Sequence, residues 1–153
     1  MPRVVPKTEL LAMTGWQAPP SAWFEIDQER IDAFADATED HQFIHVDPQR
    51  AAGTPFGGTV AHGYLTLSLL PHLMEEISVV PEGMVMAINY GLDKVRFLQP
   101  VRAGSRVRAH VSLTDVREKD GGRLLVGAEV TVEIENQAKP ALVAETLALF
   151  VVK

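Results

Sequence analysis

Between Val60 and Ile77 the chain is apolar on nearly every side of a helical projection, has the length of a helix, and ends in the acidic pair Glu75-Glu76. A helix of that kind is not stable half in water and has to be enclosed by protein. The pattern after it has a different period. Apolar and polar residues alternate from Met84 to Phe97, and a single face collects Val107, Ala109, Val111 and Leu113, then Val126, Ala128, Val130, Val132 and Ile134. A last apolar segment runs from Leu142 to Val152 behind Lys139-Pro140. Period two marks half-buried antiparallel strands, and Asp120-Gly121-Gly122 supplies a tight turn between two of them. An enclosed helix followed by such strands calls for a strongly curved antiparallel sheet wrapped around it, an α+β arrangement.

Ahead of the helix, Lys7 to Met13 is expected to form a short helix closed by Gly15, and Trp23-Phe24-Glu25-Ile26 a strand. Asp27 suits an N-cap, with a helix over Arg30 to Asp36 whose inner face carries Ile31 and Phe34. Pro71 removes one backbone donor from the central helix, which predicts a bend between Leu67 and Pro71. From Thr38 to Gly58 the periodicity disappears and Asp, His, Pro and Gly accumulate. A compact domain keeps so long a loop when it has a use, so the functional site is expected there.

The 153 residues, 46% of them hydrophobic, hold no repeat or linker-like stretch, so a single domain over 1–153 is expected. Cysteine is absent, which excludes disulfides, thiolate metal sites and a cysteine nucleophile. A net charge of -6 without any basic run argues against nucleic acid as a partner. The longest apolar run, Val60 to Leu73, is interrupted by polar residues and is shorter than the ~20 residues a membrane span needs. The start, MPRVVPKTELLAMTGW, lacks the apolar core of a secretory signal, so a cytoplasmic protein without a membrane partner is expected.

Asp40 and His45 lie five apart on the aperiodic loop, where neither helix nor strand period requires them. A carboxylate and an imidazole sharing one water can divide a hydration between them, one taking the water proton and the other protonating carbon. The same spacing suits a turn-capping aspartate and a hydrogen-bonded interior histidine. Gly63, in the first turn of the central helix, offers a backbone N–H without a helical acceptor, suited either to an oxyanion or to close helix packing. His62 and Ser68 lie on the expected core helix, where a structural hydrogen bond is the commoner use; His62 is kept as a supporting residue. Ser68 lacks the strained elbow of a nucleophile. His41, His45, Asp47, His62 and His72 could suggest a metal site, but the loop separates them unfavourably and none is expected. Lys94, Arg96, Arg102 and Arg106 form the densest positive group, with Lys94 and Arg96 as candidates for binding the phosphates of a ligand.

The run Asp40-His41-Gln42-Phe43-Ile44-His45-Val46-Asp47-Pro48, with Ala61-His62-Gly63 after it, resembles the paired motifs of the MaoC-like (R)-specific enoyl-CoA hydratases, G-D-x-N-P-[IVL]-H-x-D-P and [AV]-H-G. With PFGGTVAHGYLTLSLLP and AINYGLDKVRFLQPV, it is similar to the nodulation-protein-N-like branch over most of the chain. The resemblance implies the hot-dog fold, which is the wrapped-helix arrangement read above, and a homodimer with the acyl tunnel at its interface. It implies syn hydration of a trans-2-enoyl thioester, carried by coenzyme A or another carrier, to an (R)-3-hydroxyacyl product without a cofactor. Carried over by position, Asp40 and His45 are catalytic, the Gly63 amide is the oxyanion hole, and Gln42 replaces an asparagine that orients the loop. The departures are Glu39 for the glycine, Gln42-Phe43 for Asn-Pro, and Pro71 near a serine that some members carry. Two rivals are a thioesterase, which would release free thiol, and a non-catalytic acyl-thioester binding module, which would hold crotonyl-CoA without turnover.

Overall fold

The computed structural model describes residues 1–153. In chain order the elements are β1 (Arg3–Val5), α1 (Lys7–Leu10), β2 (Phe24–Ile26), α2 (Gln28–Thr38), α3 (Phe43–Val46), α4 (Pro48–Ala51), α5 (Gly63–Ser68), α6 (Leu70–Met74), β3 (Val79–Pro81), β4 (Met84–Phe97), β5 (Ser105–Lys119), β6 (Arg123–Ile134) and β7 (Leu142–Val152). Five strands form one antiparallel sheet in the order β2-β5-β6-β7-β4, while β1 pairs in parallel with β3. The alternating rows turn inward as their period requires. Val107, Ala109, Val111 and Leu113 of β5 and Val126, Ala128, Val130, Val132 and Ile134 of β6 are all buried. They meet Leu65 of α5, Leu69 at the junction, and Leu70 and Leu73 of α6 in one core cluster. This is the hot-dog fold.

The sheet curls where its ladder is interrupted. In β5 the register shifts between Leu113 and Asp115, and the extra residue, Thr114, folds over Gly127 of β6. A Cβ on Gly127 would lie 2.9 Å from Thr114 Oγ1, so glycine is what lets the bulged strand approach. Three further register shifts fall in β4.

The central helix differs from expectation in two ways. It is two short helices rather than one over Val60 to Ile77, broken at Leu69. The break falls inside the predicted Leu67–Pro71 bend, because Pro71 stands in the first turn of α6, where its missing N–H is not needed. Nor is the helix enclosed on every side: Tyr64 is 68% exposed, and Ser68, Pro71 and His72 also face outward. Ser68, expected against the core, instead bonds back to the Tyr64 carbonyl at 2.7 Å. The segment from Thr38 to Gly58 is also more ordered than its composition suggests, since it contains α3 and α4.

β4 is an edge strand, exposed along nearly its whole length. It carries Val85, Met86, Ile88, Tyr90, Leu92 and Phe97 into the open. No helix is long and apolar enough to cross a membrane.

Candidate active site

Asp27 caps α2 by accepting the Arg30 N–H at 2.9 Å, as its sequence position predicts. The helix closes at Glu39, whose left-handed backbone (φ 61°, ψ 22°) turns the chain toward Asp40. Left-handed backbone favours glycine, which gives the glycine of the related motif a geometric reason and makes Glu39 a locally costly substitute. Phe43 then stands at the first position of α3, where the motif carries proline. Asp47 accepts the Arg50 N–H at 3.1 Å and Pro48 opens α4. The Asp-Pro end of the motif is therefore a helix start, and its work is to fix the loop that carries His45.

His45 is buried, at 7% exposure. Its Nδ1 lies 2.6 Å from the Val60 carbonyl. A carbonyl only accepts, so Nδ1 carries the hydrogen and the neutral ring keeps a free lone pair on Nε2, the form a general base needs. Burial holds His45 below the usual imidazole range; the Val60 carbonyl opposes this, the His62 ring adds to it, and the Asp40 carboxylate opposes it. His62 is 3% exposed and stacks on His45 with ring centres 3.8 Å apart at 23°. Its Nε2 lies 3.0 Å from the Asp40 main-chain oxygen and 4.0 Å from the Asp40 carboxylate. One carboxylate oxygen of Asp40 and one ring nitrogen from each of His45 and His62 all fall within 4.8 Å of one another.

An apolar cleft of about 290 Å³ opens beside this group, lined by Ile44, His45, Phe56, Gly63, Thr66 and Phe97 among others. Asp40, with half its side chain exposed, and His62 are not part of that lining. Gly63 opens α5, and its N–H makes none of the main-chain bonds found at loops and caps. A Cβ there would come within 3.0 to 3.2 Å of the Phe97 ring. The two sequence readings of Gly63, an available amide and a tight packing position, therefore hold together.

The remaining candidates separate. The Gln42 side-chain amide makes no hydrogen bond; its main-chain N–H is what faces the Asp40 carboxylate, at 3.4 Å. The side-chain hydrogen bond to the loop that carries His45 comes instead from a residue the sequence did not single out. Gln28, on the first turn of α2, donates to the His45 carbonyl at 2.7 Å and to Asp32 at 2.8 Å, and accepts from Thr59. A glutamine at a helix start looks like any solvated residue, and nothing in its spacing marks this bridge. Lys94 and Arg96 lie on exposed β4 outside the cleft lining, and Arg96 donates to the Val95 carbonyl at 2.7 Å. Arg102 packs over Gly57 and Gly58 and donates to the Gly57 carbonyl at 2.9 Å.

Of the five metal candidates read from the sequence, three are engaged elsewhere. His41 pairs with Asp36 at 2.9 Å, which raises its pKa; Asp47 caps α4; His72 packs edge-on to Phe24. Asp40, His45 and His62 do cluster. An imidazole lone pair lies in its ring plane, however, and two nearly parallel stacked rings cannot both aim at one ion. The stacked geometry therefore does not suit a metal triad.

Comparison with known proteins points to one family. The MaoC-like domain family matches residues 13–137. A 3-hydroxyacyl-thioester dehydratase Z of Mycobacterium tuberculosis is 51% identical over 143 residues, covering 94% of each chain. A nodulation protein N of Rhizobium meliloti is 49% identical over 145 residues, 93% of this chain and 89% of the relative. Among solved structures, an (R)-hydratase from A. caviae superposes with a TM-score of 0.67 at 23% identity, over 88% of this chain and 94% of the other.

Proposed function

The chain belongs to the MaoC-like domain family, and from that premise we propose that it is a hydro-lyase acting on acyl thioesters, adding water syn across a trans-2-enoyl thioester to give an (R)-3-hydroxyacyl product, or the reverse. The observation that carries the reading is the convergence of an Asp40 carboxylate oxygen and a His45 ring nitrogen within 4.8 Å, where His45 and Gly63 line one apolar cleft. In this reading the acyl group lies in the cleft with its carbonyl oxygen on the Gly63 N–H, and the reacting carbons sit at its His45 end, toward Asp40. Polarising the carbonyl stabilises negative charge that develops on its oxygen as the β-carbon is attacked.

His45, neutral with Nε2 free, takes a proton from water while the water oxygen bonds to the β-carbon. That proton crosses the short gap to Asp40, which is protonated only transiently and gives it to the α-carbon. The hydrogen taken from water thus ends on the α-carbon and the hydroxyl on the β-carbon, and the turnover leaves both side chains as it found them. Both groups act from one side of the substrate, which makes the addition syn. No step calls for a cofactor.

The reading includes a single domain spanning 1–153 that pairs into a homodimer. Its support is the open edge of β4, where a long row of apolar side chains and unpaired main-chain groups would otherwise face water. Phe97 and Leu98 belong both to this exposed set and to the cleft lining, so a second copy covering β4 would also close the cleft.

The test is the loss of crotonyl-CoA absorbance on adding protein. Asp40→Asn and His45→Ala should each reduce the rate by on the order of 100-fold or more, and full rate in either variant would refute the assignment. Release of free thiol would indicate hydrolysis instead, and tight binding without turnover a binding module.

A further inference from the structure

A buried histidine is most often an interior side chain whose polar atoms are satisfied by its surroundings. His62 does not fit that description. Its Nε2 faces an acceptor-only group, the Asp40 carbonyl at 3.0 Å, so the neutral ring carries its hydrogen there and its lone pair on Nδ1. Nδ1 is buried and has no partner. An acceptor buried without a partner loses its bonds to water and gains none in return. The ring packs against Phe34 with centres 4.9 Å apart, so an apolar ring would fill the same space without that cost. What an apolar ring would lack is the bond to Asp40.

We infer that His62 is the positioning residue that joins the two halves of the pair, tethering the Asp40 main chain through Nε2 and bracing the His45 ring through its face. Asp40 needs such a tether. It follows the left-handed Glu39, and its other close polar contact is the Gln42 N–H at a long 3.4 Å. His45 needs the brace because its one ring hydrogen bond, to Val60, fixes Nδ1 without fixing the tilt of the ring about that bond. A nearly parallel neighbour at 3.8 Å removes the tilt and so aims the free Nε2. The charged or titratable groups that act on the His45 ring are His62 and Asp40. The influence of His62 on His45, second to burial among the effects that lower it, acts in the same direction.

The inference rests on the hydratase reading and separates tether from brace by substitution. His62→Phe keeps a flat ring and loses the bond to Asp40; His62→Gln keeps an N–H within reach of the Asp40 carbonyl and loses the stack. Misplacing a catalytic group by about 1 Å costs on the order of 100-fold. His62→Phe should therefore lower kcat by roughly 10- to 100-fold with KM within about threefold. His62→Gln should retain more of kcat but shift the acidic limb of the kcat/KM profile upward, toward the ordinary imidazole value, as His45 loses its cover. Two well-folded variants with kcat and pH profile matching the parent would overturn the inference. A measurement on the unmodified protein guards against misfolded variants: ¹⁵N shifts should show His62 with its hydrogen on Nε2 and His45 with its hydrogen on Nδ1. The opposite tautomer of His62 would remove the tether and refute the inference. Failure of the hydratase reading itself would be seen separately, as full rate in Asp40→Asn or His45→Ala.

Discussion

Gly63→Ala separates stability from catalysis at the one position where both meet. The added Cβ would sit 3.0, 3.1 and 3.2 Å from Cδ1, Cε1 and Cγ of Phe97. Those distances are too short to keep, so something has to move. Within one protomer Phe97 is 47% exposed and packs edge-on to the still more exposed Tyr64, so its ring borders the open cleft and has more room to swing than a core side chain. Overpacking in a closed core costs about 1–3 kcal/mol, and a half-open site falls at the low end. Alanine also favours the helix over glycine by up to about 1 kcal/mol. The net change should lie within about 1 kcal/mol, a shift in Tm of roughly 2–4 °C for a chain of this size. Catalysis should suffer far more. The new methyl and the displaced Phe97 ring both crowd the approach to the Gly63 N–H, and loss of one oxyanion donor costs on the order of 100- to 1,000-fold in kcat. Steady-state hydration of crotonyl-CoA and a thermal melt on the same preparation measure the two effects. A variant that melts normally and keeps kcat within about threefold, roughly 0.6 kcal/mol of barrier, would refute the oxyanion role. A loss confined to KM would assign Gly63 to packing alone.

Burial holds His45 below its ordinary value of 6.5, so a reaction needing the neutral ring should keep its plateau in kcat/KM below pH 6.5 and fall only as pH passes through the lowered value. The stability linkage has the matching sign. Below 6.5 the unfolded chain takes up the proton before the folded one, so this contribution is full above 6.5 and is lost as pH falls from there to the lowered pKa. Urea unfolding should show His45→Gln losing less stability across that window than the parent, and equal losses would refute the shift. Glu39→Gly relieves a left-handed residue at φ 61°, a strain of about 1–2 kcal/mol, against about 0.5–1 kcal/mol for the greater freedom of glycine when unfolded. A net gain of roughly 0.5–1 kcal/mol is expected in the same assay, and a loss would contradict the account of that turn. Sedimentation should find a dimer, and Tyr90→Glu with Leu92→Glu on β4 should dissociate it; an active species that sediments as a monomer would contradict the proposed pairing.

What the sequence by itself determined is whatever a local period or a short-range bond encodes. The inward rows of β5 and β6 follow from alternation, the Asp27 cap from its place before a helix, and the Leu67–Pro71 break from one missing N–H. The loop carrying Asp40 and His45 was legible because no period claimed it, and its Asp-Pro end is a helix start that needs only neighbours to form. The tertiary structure decided everything that depends on which distant surfaces meet. His62 reaches the Asp40 carbonyl 22 residues away, and Gln28 reaches the His45 carbonyl 17 residues away. Phe97 lies over Gly63 because the curl of the sheet carries the end of β4 to the start of α5. The outward face of α5 and α6 is beyond the sequence for the same reason: apolar character records an affinity for cover, whereas exposure depends on which chain supplies that cover. Hydrogen bonds and ring stacks act over a few ångströms, and a period along the chain says nothing about which residues folding brings that close.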